Sequence, residues 1–276
     1  VQFQHSEIPQ YLNVRPEGML SRIAATGWAV WFYIYQTLAP LWMPAVYPRW
    51  VVNETNVLHW LPLAALLVTL AVCWWQRKSW GKPVFFALAY VVVILLPVLG
   101  VITMALHRYT LVADHWQHLA IIGTIALAVG VVTHHLRDKR VAFALMALFT
   151  VVLSALTWKQ ASMYKDHETI WRGTLAIYPE SIPANLNLAI ELTRQGAEDI
   201  DPNNKIDIQR HFAEAEKHFR KVIELEPSAN AYLNLGSLLS RQGRLDEAMT
   251  LYERLIERMP EVGEARRAVV LDQHVA

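Results

Sequence analysis

VAFALMALFTVVLSALTW (141–158) runs straight into KQASMYKDHETIWRGTLAIYP (159–179), and the chain changes character at that join. The first stretch carries no charge, and its length approaches the about 20 apolar residues a helix needs to cross a hydrocarbon layer. The second sets Lys159, Lys165, Asp166, His167, Glu168 and Arg172 among spaced apolar residues, the pattern of a helix with one face in water. Reading outward from Trp158 in both directions separates an apolar half from a charged one. The hydrophobic fraction of 54% therefore averages two populations. Length and composition together predict two domains, 1–160 and 161–276.

Toward the N-terminus, residues 58–76, 83–106 and 116–136 join 141–158 as segments apolar enough to span. A fifth segment, 19–40, mixes Arg22, Gly27 and Gln36 with Trp28, Trp31, Phe32 and Tyr33; spanning is preferred to lying flat in the interface. Arg77, Lys78 and Lys82 fall in one turn, and Arg137, Lys139 and Arg140 in another. The loops at 41–57 and 107–115 hold only Arg49 and Arg108 as full cations. An excess of Lys and Arg marks the cytoplasmic side of a membrane, so these two loops, and everything after Trp158, are expected outside. Tryptophans 50, 60, 74, 75, 80, 116 and 158 lie near span ends, where an indole suits the headgroup layer.

Composition also excludes classes. A net charge of +1 argues against a nucleic-acid partner, which calls for a concentrated basic face. Cys73 is the single cysteine, so no internal disulfide forms. No basic-then-apolar leader precedes the first segment, the chain starts at Val1, and residues 1–18 read like the interior of a longer protein; further sequence upstream is expected.

In the charged half, ANAYLNLGSLLSRQGRLDEAMTLYERLIERMPEV (229–262) resembles the tetratricopeptide repeat, a 34-residue helix pair with small residues where the helices touch. Leu235 and Gly236 fall in the first helix, Gly243 ends it, Ala248 and Tyr252 fall in the second, and Pro260 closes the unit. An earlier copy has Asn187-Leu188-Ala189 and Gly196 in its first helix and Ala215, Phe219 and Pro227 in its second. Residues 197–211 (AEDIDPNNKIDIQRH) read as an insertion forming an extended turn. HETIWRGTLAIYP (167–179) reads as a lone second helix with Trp171 in the aromatic slot, and 261–276 as a capping helix. The fold class expected is all-α: a multi-span transmembrane helical domain of about five spans, then a tetratricopeptide-repeat α-solenoid.

The segment HRYTLVADHWQH (107–118) is the candidate for chemistry. Ionisable groups between two spans suit a lipid-linked phosphate: Arg108 can grip its oxygens, and His107 or His115 can donate to it. Asp114 and His118 stand four apart and can meet on one helix face. Tyr47-Pro48-Arg49-Trp50 is a second outward candidate. Plainer readings stand beside these. Asp114 with Gln117 fits a cap for the span that follows, and Arg49 and Arg108 can snorkel to headgroups. His115 and His118 lack a third ligand nearby, so no metal is expected. His134 and His135, being adjacent, are expected to point apart. Asn53-Glu54-Thr55 matches the glycosylation acceptor triplet. No glycine-rich phosphate loop, nucleophile elbow or paired cysteine occurs, and no cofactor is expected.

GWAVWFYIYQTLAPLWMPAVYPRW (27–50), HRYTLVADHWQHLA (107–120) and TWKQASMYKDHETIWRGTLAIYP (157–179) follow one another in an order that resembles a known group. This is the C-terminal part of bacterial GT-C superfamily membrane glycosyltransferase-like proteins ending in tetratricopeptide repeats, relatives of the animal transmembrane-and-TPR protein O-mannosyltransferases. The resemblance implies transfer of a sugar from a polyprenyl-phosphate carrier to an acceptor on the outer side of a bacterial inner membrane, with the repeats in the periplasm. The catalytic carboxylate of such enzymes lies in a first outward loop, which would be upstream of Val1, so no residue here inherits that role. His107, Arg108, Tyr109, Asp114 and His115, with Arg49, would share the carrier-phosphate site; His118 departs from the tyrosine expected there. The implied partners are membrane lipids, the carrier and a protein on the concave face of the repeats. The alternative is a non-catalytic membrane-anchored scaffold or assembly subunit of a larger complex.

Overall fold

The computed structural model describes residues 17–41, 43–100, 105–136, 138–198 and 205–258, and every regular element among them is a helix. The chain divides into two compact units between Ser162 and Met163.

The first unit holds α1 (Met19–Leu38), α2 (Leu61–Trp75), α3 (Gly81–Leu95), α4 (Ile121–His135) and α5 (Lys139–Ala161). Local chemistry sets their ends. The Asn56 side chain accepts from the Leu58 amide at 3.0 Å, starting a 3₁₀ turn over Val57–Trp60 that leads into α2. Pro62 then sits in the first turn of α2, where a missing N–H costs nothing. Pro97 falls in a 3₁₀ turn, Leu96–Val98, that ends α3, because a proline in a helix interior removes a hydrogen bond and crowds the preceding turn. Asp138 caps α5 by accepting from the Arg140 amide at 2.8 Å.

Neighbours in sequence are neighbours in space: α1 packs on α2, α2 on α3 and α3 on α4, and α4 also meets α1. The Trp31 indole donates to the Pro62 carbonyl at 2.9 Å and the Trp28 indole to the His59 carbonyl at 3.1 Å, tying α1 to the start of α2. Val30, Tyr33, Leu66, Val91, Leu95 and Val112 form the buried centre.

Among the described residues, three stretches are long and apolar enough to cross a membrane: Val57–Trp75, Gly81–Val98 and Lys139–Tyr164. Three of the five expected spans come out differently. The segment 116–136 begins with a 3₁₀ turn over Asp114–Gln117, and α4 proper covers only Ile121–His135. Trp116 folds against the core and Gln117 is buried, so the start of that segment belongs to the loop. The segment 19–40 does form a helix, α1, but it is not among the three. It carries Ser21, Gln36 and Thr37, which it buries against the rest of the unit. The segment 83–106 ends its helical run at Val98. The expectation that His134 and His135 diverge also fails: their rings meet edge to face at 5.2 Å between centroids.

The second unit holds α6 (His167–Ile177), α7 (Ile182–Glu198), α8 (Lys205–Leu225), α9 (Ala229–Arg241) and α10 (Leu245–Arg258). Asp166 caps α6 through the Thr169 amide at 2.7 Å, and Ser228 caps α9. The small residues fall where the repeat pattern puts them. A Cβ built on Gly236 would lie 2.5 Å from the Tyr252 ring, so only glycine lets α9 and α10 approach this closely. Gly243 takes φ +79°, the left-handed conformation that ends α9. Leu188, Leu192, Phe219, Leu235, Leu238 and Leu239 are buried in one continuous core, with Trp171 packed against it. The insertion is shorter than the expected extended turn over 197–211. Ala197 and Glu198 finish α7, and residues 205–211 are the first two turns of α8. The cap expected at 261–276, and Pro260, lie outside the described residues.

Candidate functional site

In the first unit, the two loops expected on the outer side come together on α1. Tyr47 is the hinge of this meeting. Its hydroxyl donates to Asp114 Oδ1 at 2.8 Å and accepts from Gln36 Nε2 of α1 at 3.0 Å. One turn earlier on α1, the Tyr33 hydroxyl accepts from the Ala113 amide at 3.0 Å. Arg49 donates to the Arg108 carbonyl at 3.1 Å and forms an ion pair with Glu17. Phe32 packs edge-on against both Tyr47 and Trp50, at 5.0 and 5.4 Å between ring centroids. A polar seam thus joins α1 to residues 47–49 and 108–114 inside an aromatic shell.

The six residues singled out from sequence do not share one environment. His107 is fully buried, its ring edge-on to Trp116 at 5.5 Å. Arg49 is engaged within the fold by Glu17 and a backbone carbonyl. Arg108 and Tyr109 are half-buried, with the guanidinium 5.7 Å above the Tyr109 ring. His115 is exposed, and its carbonyl lies 2.6 Å from His118 Nδ1. Asp114 is half-buried. Burial pushes its carboxyl above the usual range, while the Tyr47 hydroxyl and the charges of His115 and His118 pull the other way. Asp114 does not cap the following helix through its side chain, as the plainer reading expects; its Oδ1 goes to Tyr47 instead.

Chemically, Arg108, Tyr109 and His115 offer donors suited to an anion, whereas a charged Asp114 repels one. The geometry therefore makes Asp114 a fastener between loops more than a phosphate ligand. Among the described residues no group of three His, Cys, Asp or Glu side chains is arranged to hold a metal. Gln36, Tyr33 and Glu17 join the seam without being among the site residues the sequence singles out. The signal was there for Gln36 and Tyr33: polar groups within an otherwise apolar stretch turn inward and find partners.

In the same unit, α4, α5 and the end of α1 leave an apolar groove of about 810 Å³ lined by Thr37, Ile125, Val132, Phe149, Thr150 and Trp158. α5 contributes almost nothing to the core: Ala142 is its one buried residue, while Phe143 and Trp158 are 71% and 83% exposed.

In the second unit, charge is organised between helices. Arg172 of α6 binds Glu214 of α8 through two bonds of 2.6 and 2.8 Å and also holds Glu168. Arg244 joins Glu216 and Glu247, each at 2.6 Å. These partners hold the Glu214 and Glu247 carboxyls below the usual range, the bonds to Arg172 and Arg244 being the largest influence on each. Asn185, buried on α7, accepts from His218 Nδ1 at 2.7 Å, assigning the proton to that nitrogen in the neutral ring.

Residues 209–262 match the family model described as the tetratricopeptide repeat. The second unit therefore carries a tetratricopeptide repeat, a module of protein–protein interaction. No curated protein and no solved structure matches the chain.

Proposed function

We propose that the chain belongs to a membrane glycosyltransferase-like protein. A polyprenyl-phosphate sugar carrier is held by the first unit, and the repeats recruit the protein that receives the sugar. The sugar leaves the carrier on the outer side of a bacterial inner membrane, with the repeats in the periplasm. The observation that carries this reading is the convergence of the two loops on α1, Tyr47 to Asp114 and Arg49 to the Arg108 carbonyl. It fixes the loop that carries Arg108, Tyr109 and His115 to an apolar helical unit, and the same unit holds a groove with room for a hydrocarbon chain. Arg108 supplies the cation for the carrier phosphate, Tyr109 and His115 donate to its oxygens, and Asp114 and Arg49 position the loops. No residue of this chain is assigned as catalytic.

The test is binding of a short polyprenyl-phosphate analogue to the full chain in detergent micelles. Arg108→Ala is expected to weaken binding by about 1.5–3 kcal/mol, the range for a hydrogen bond to a charged group, while the circular dichroism of the repeats stays unchanged. Unaltered affinity would remove the carrier site. A second reading, a non-catalytic membrane-anchored scaffold, is favoured by the burial of His107 and the pairing of Arg49 with Glu17, which withdraw two of the six candidates from any ligand. Recovery of a stable membrane complex from cells, with no analogue binding by the full chain, would support the scaffold.

A further inference from the structure

The opposite end of the first unit carries a different chemistry. α3 packs on α4: Gly123 of α4 lies against Ala87, Tyr90 and Val91, while the Tyr90 hydroxyl donates to the earlier Leu119 carbonyl at 3.2 Å. Lower numbers on one side of the contact thus meet higher numbers on the other, and the two helices run in opposite directions. From that level α4 continues to His135, about 18 Å further, and α3 reaches back to Gly81, about 12 Å in the same direction, at 1.5 Å per residue. The turn after α2 and the turn before α5 therefore lie at one end of the unit. Arg77, Lys78, Lys82, Lys139 and Arg140 are all exposed there, together with His134 and His135. Among the described residues of these turns, the one carboxylate is Asp138, and it is engaged as the cap of α5. At the other end the acids are answered from within the fold: Glu17 by Arg49, Glu54 by Ser21 and Asp114 by Tyr47.

Aromatic residues frame the basic end. Trp74, Trp75 and Trp80 are 53%, 79% and 53% exposed. The Arg77 guanidinium stacks 5.0 Å above the Trp74 ring while donating to the Trp74 carbonyl at 3.0 Å. An exposed indole beneath a guanidinium is complementary to a lipid with an apolar body and an anionic head. We infer that this end of the first unit is a binding surface for the phosphodiester headgroups of anionic phospholipids, centred on Arg77, Lys78 and Lys82 and completed by Lys139 and Arg140. This rests on the proposed membrane insertion of the unit, and the experiment separates the two.

The full chain in detergent is incubated with phosphatidylglycerol or phosphatidylcholine, and retained lipid is counted by native mass spectrometry. The unmodified chain is expected to retain phosphatidylglycerol selectively, and rising salt is expected to erode the preference without any mutation. The triple variant Arg77→Gln, Lys78→Gln, Lys82→Gln is expected to lose about 100-fold in that preference, each basic side chain near an anionic surface contributing about fivefold. A control variant on the repeats, Lys205→Gln with Arg254→Gln, is expected to leave it intact. Equal retention of both lipids by the unmodified chain overturns the inference. So does displacement of phosphatidylglycerol by equimolar inorganic phosphate, which would point to a free-anion site. Alkaline extraction of cell membranes tests insertion separately. Release of the chain overturns insertion, and this surface with it; retention without headgroup preference overturns this surface alone.

Discussion

Tyr47→Phe isolates the polar seam. The ring and its edge-on contact with Phe32 at 5.0 Å survive, and only the hydroxyl is lost. Two bonds go with it: the 2.8 Å donation to Asp114 and the 3.0 Å acceptance from Gln36, which is 2% exposed. A hydrogen bond to an ionised group contributes about 1.5–3 kcal/mol and one between neutral groups about 1 kcal/mol. Asp114 is only half-buried, so the lower part of the first range applies, and the expected loss is about 2–3 kcal/mol. The assay is unfolding of the full chain in detergent, followed by tryptophan fluorescence, which reports the Trp-rich first unit, with far-UV circular dichroism for both units. A cycle with Asp114→Ala measures the shared bond, with an expected coupling of about 1–2 kcal/mol. Coupling indistinguishable from zero, with Tyr47→Phe as stable as the parent, would refute the argument that this seam fastens the loops to α1.

Asp114→Asn keeps the Oδ1 acceptor and removes the charge. Because the folded state raises the Asp114 pKa, the stability linked to its protonation is present at low pH and is lost as pH rises through the folded value. The variant is expected to match or exceed the parent at neutral pH and to converge on it in acid; thermal melts across pH check this. Arg172→Gln removes the α6–α8 clamp. Both side chains are partly exposed, 43% and 30%, so solvent screening limits the expected loss to about 1 kcal/mol at neutral pH. The Glu214 pKa is lowered by this pairing, so the deficit should fade as pH falls through the folded Glu214 value, and chemical denaturation at several pH values reads it. Phe219→Ala empties a fully buried site and is expected to cost about 3–5 kcal/mol, enough to leave the repeats open to limited proteolysis; a digestion pattern unchanged from the parent would contradict that core assignment.

The repeats were legible in the sequence because their determinants are local and steric. Gly236 and Tyr252 are sixteen residues apart, and the repeat length alone brings them together; Gly243 carries its own stop signal. Residues 205–211 read as turn because Asp199, Asp201, Pro202, Asn203 and Asn204 beside them are breakers, yet the residues that follow these breakers are already helical. The polar seam was only half legible. Charge and position drew attention to residues 107–118 and to Arg49, but nothing in one dimension says that Tyr47 reaches Asp114, 67 residues away. Nor does it say that His107 is sealed from any ligand while His115, eight residues on, stands exposed. Such assignments depend on which side of a loop packs against α1, and that is fixed by tertiary contact.

Both units bury an apolar core, but they differ in the apolar surface they expose, and the contrast bears on the environment of each. In the second, Leu188, Leu192, Leu235, Leu238, Leu239 and Phe219 are at most 1% exposed, as expected of a solenoid in water. In the first, Phe143, Leu148, Val151 and Trp158 of α5 are each at least 60% exposed, and so are Val68 and Trp75 of α2 and Phe86 and Val93 of α3. A soluble monomer rarely tolerates a contiguous apolar surface beyond a few hundred Å². The polar groups it buries are paired: Ser21, Gln36, Thr37 and Thr110 are at most 7% exposed and bonded inside the unit. Apolar side chains outward, paired polar groups inward, and cations with tryptophans gathered at one end are what a hydrocarbon solvent selects, because an unpaired polar group costs most there. That exposed apolar surface favours a lipid environment for the first unit on grounds separate from the length of its helices.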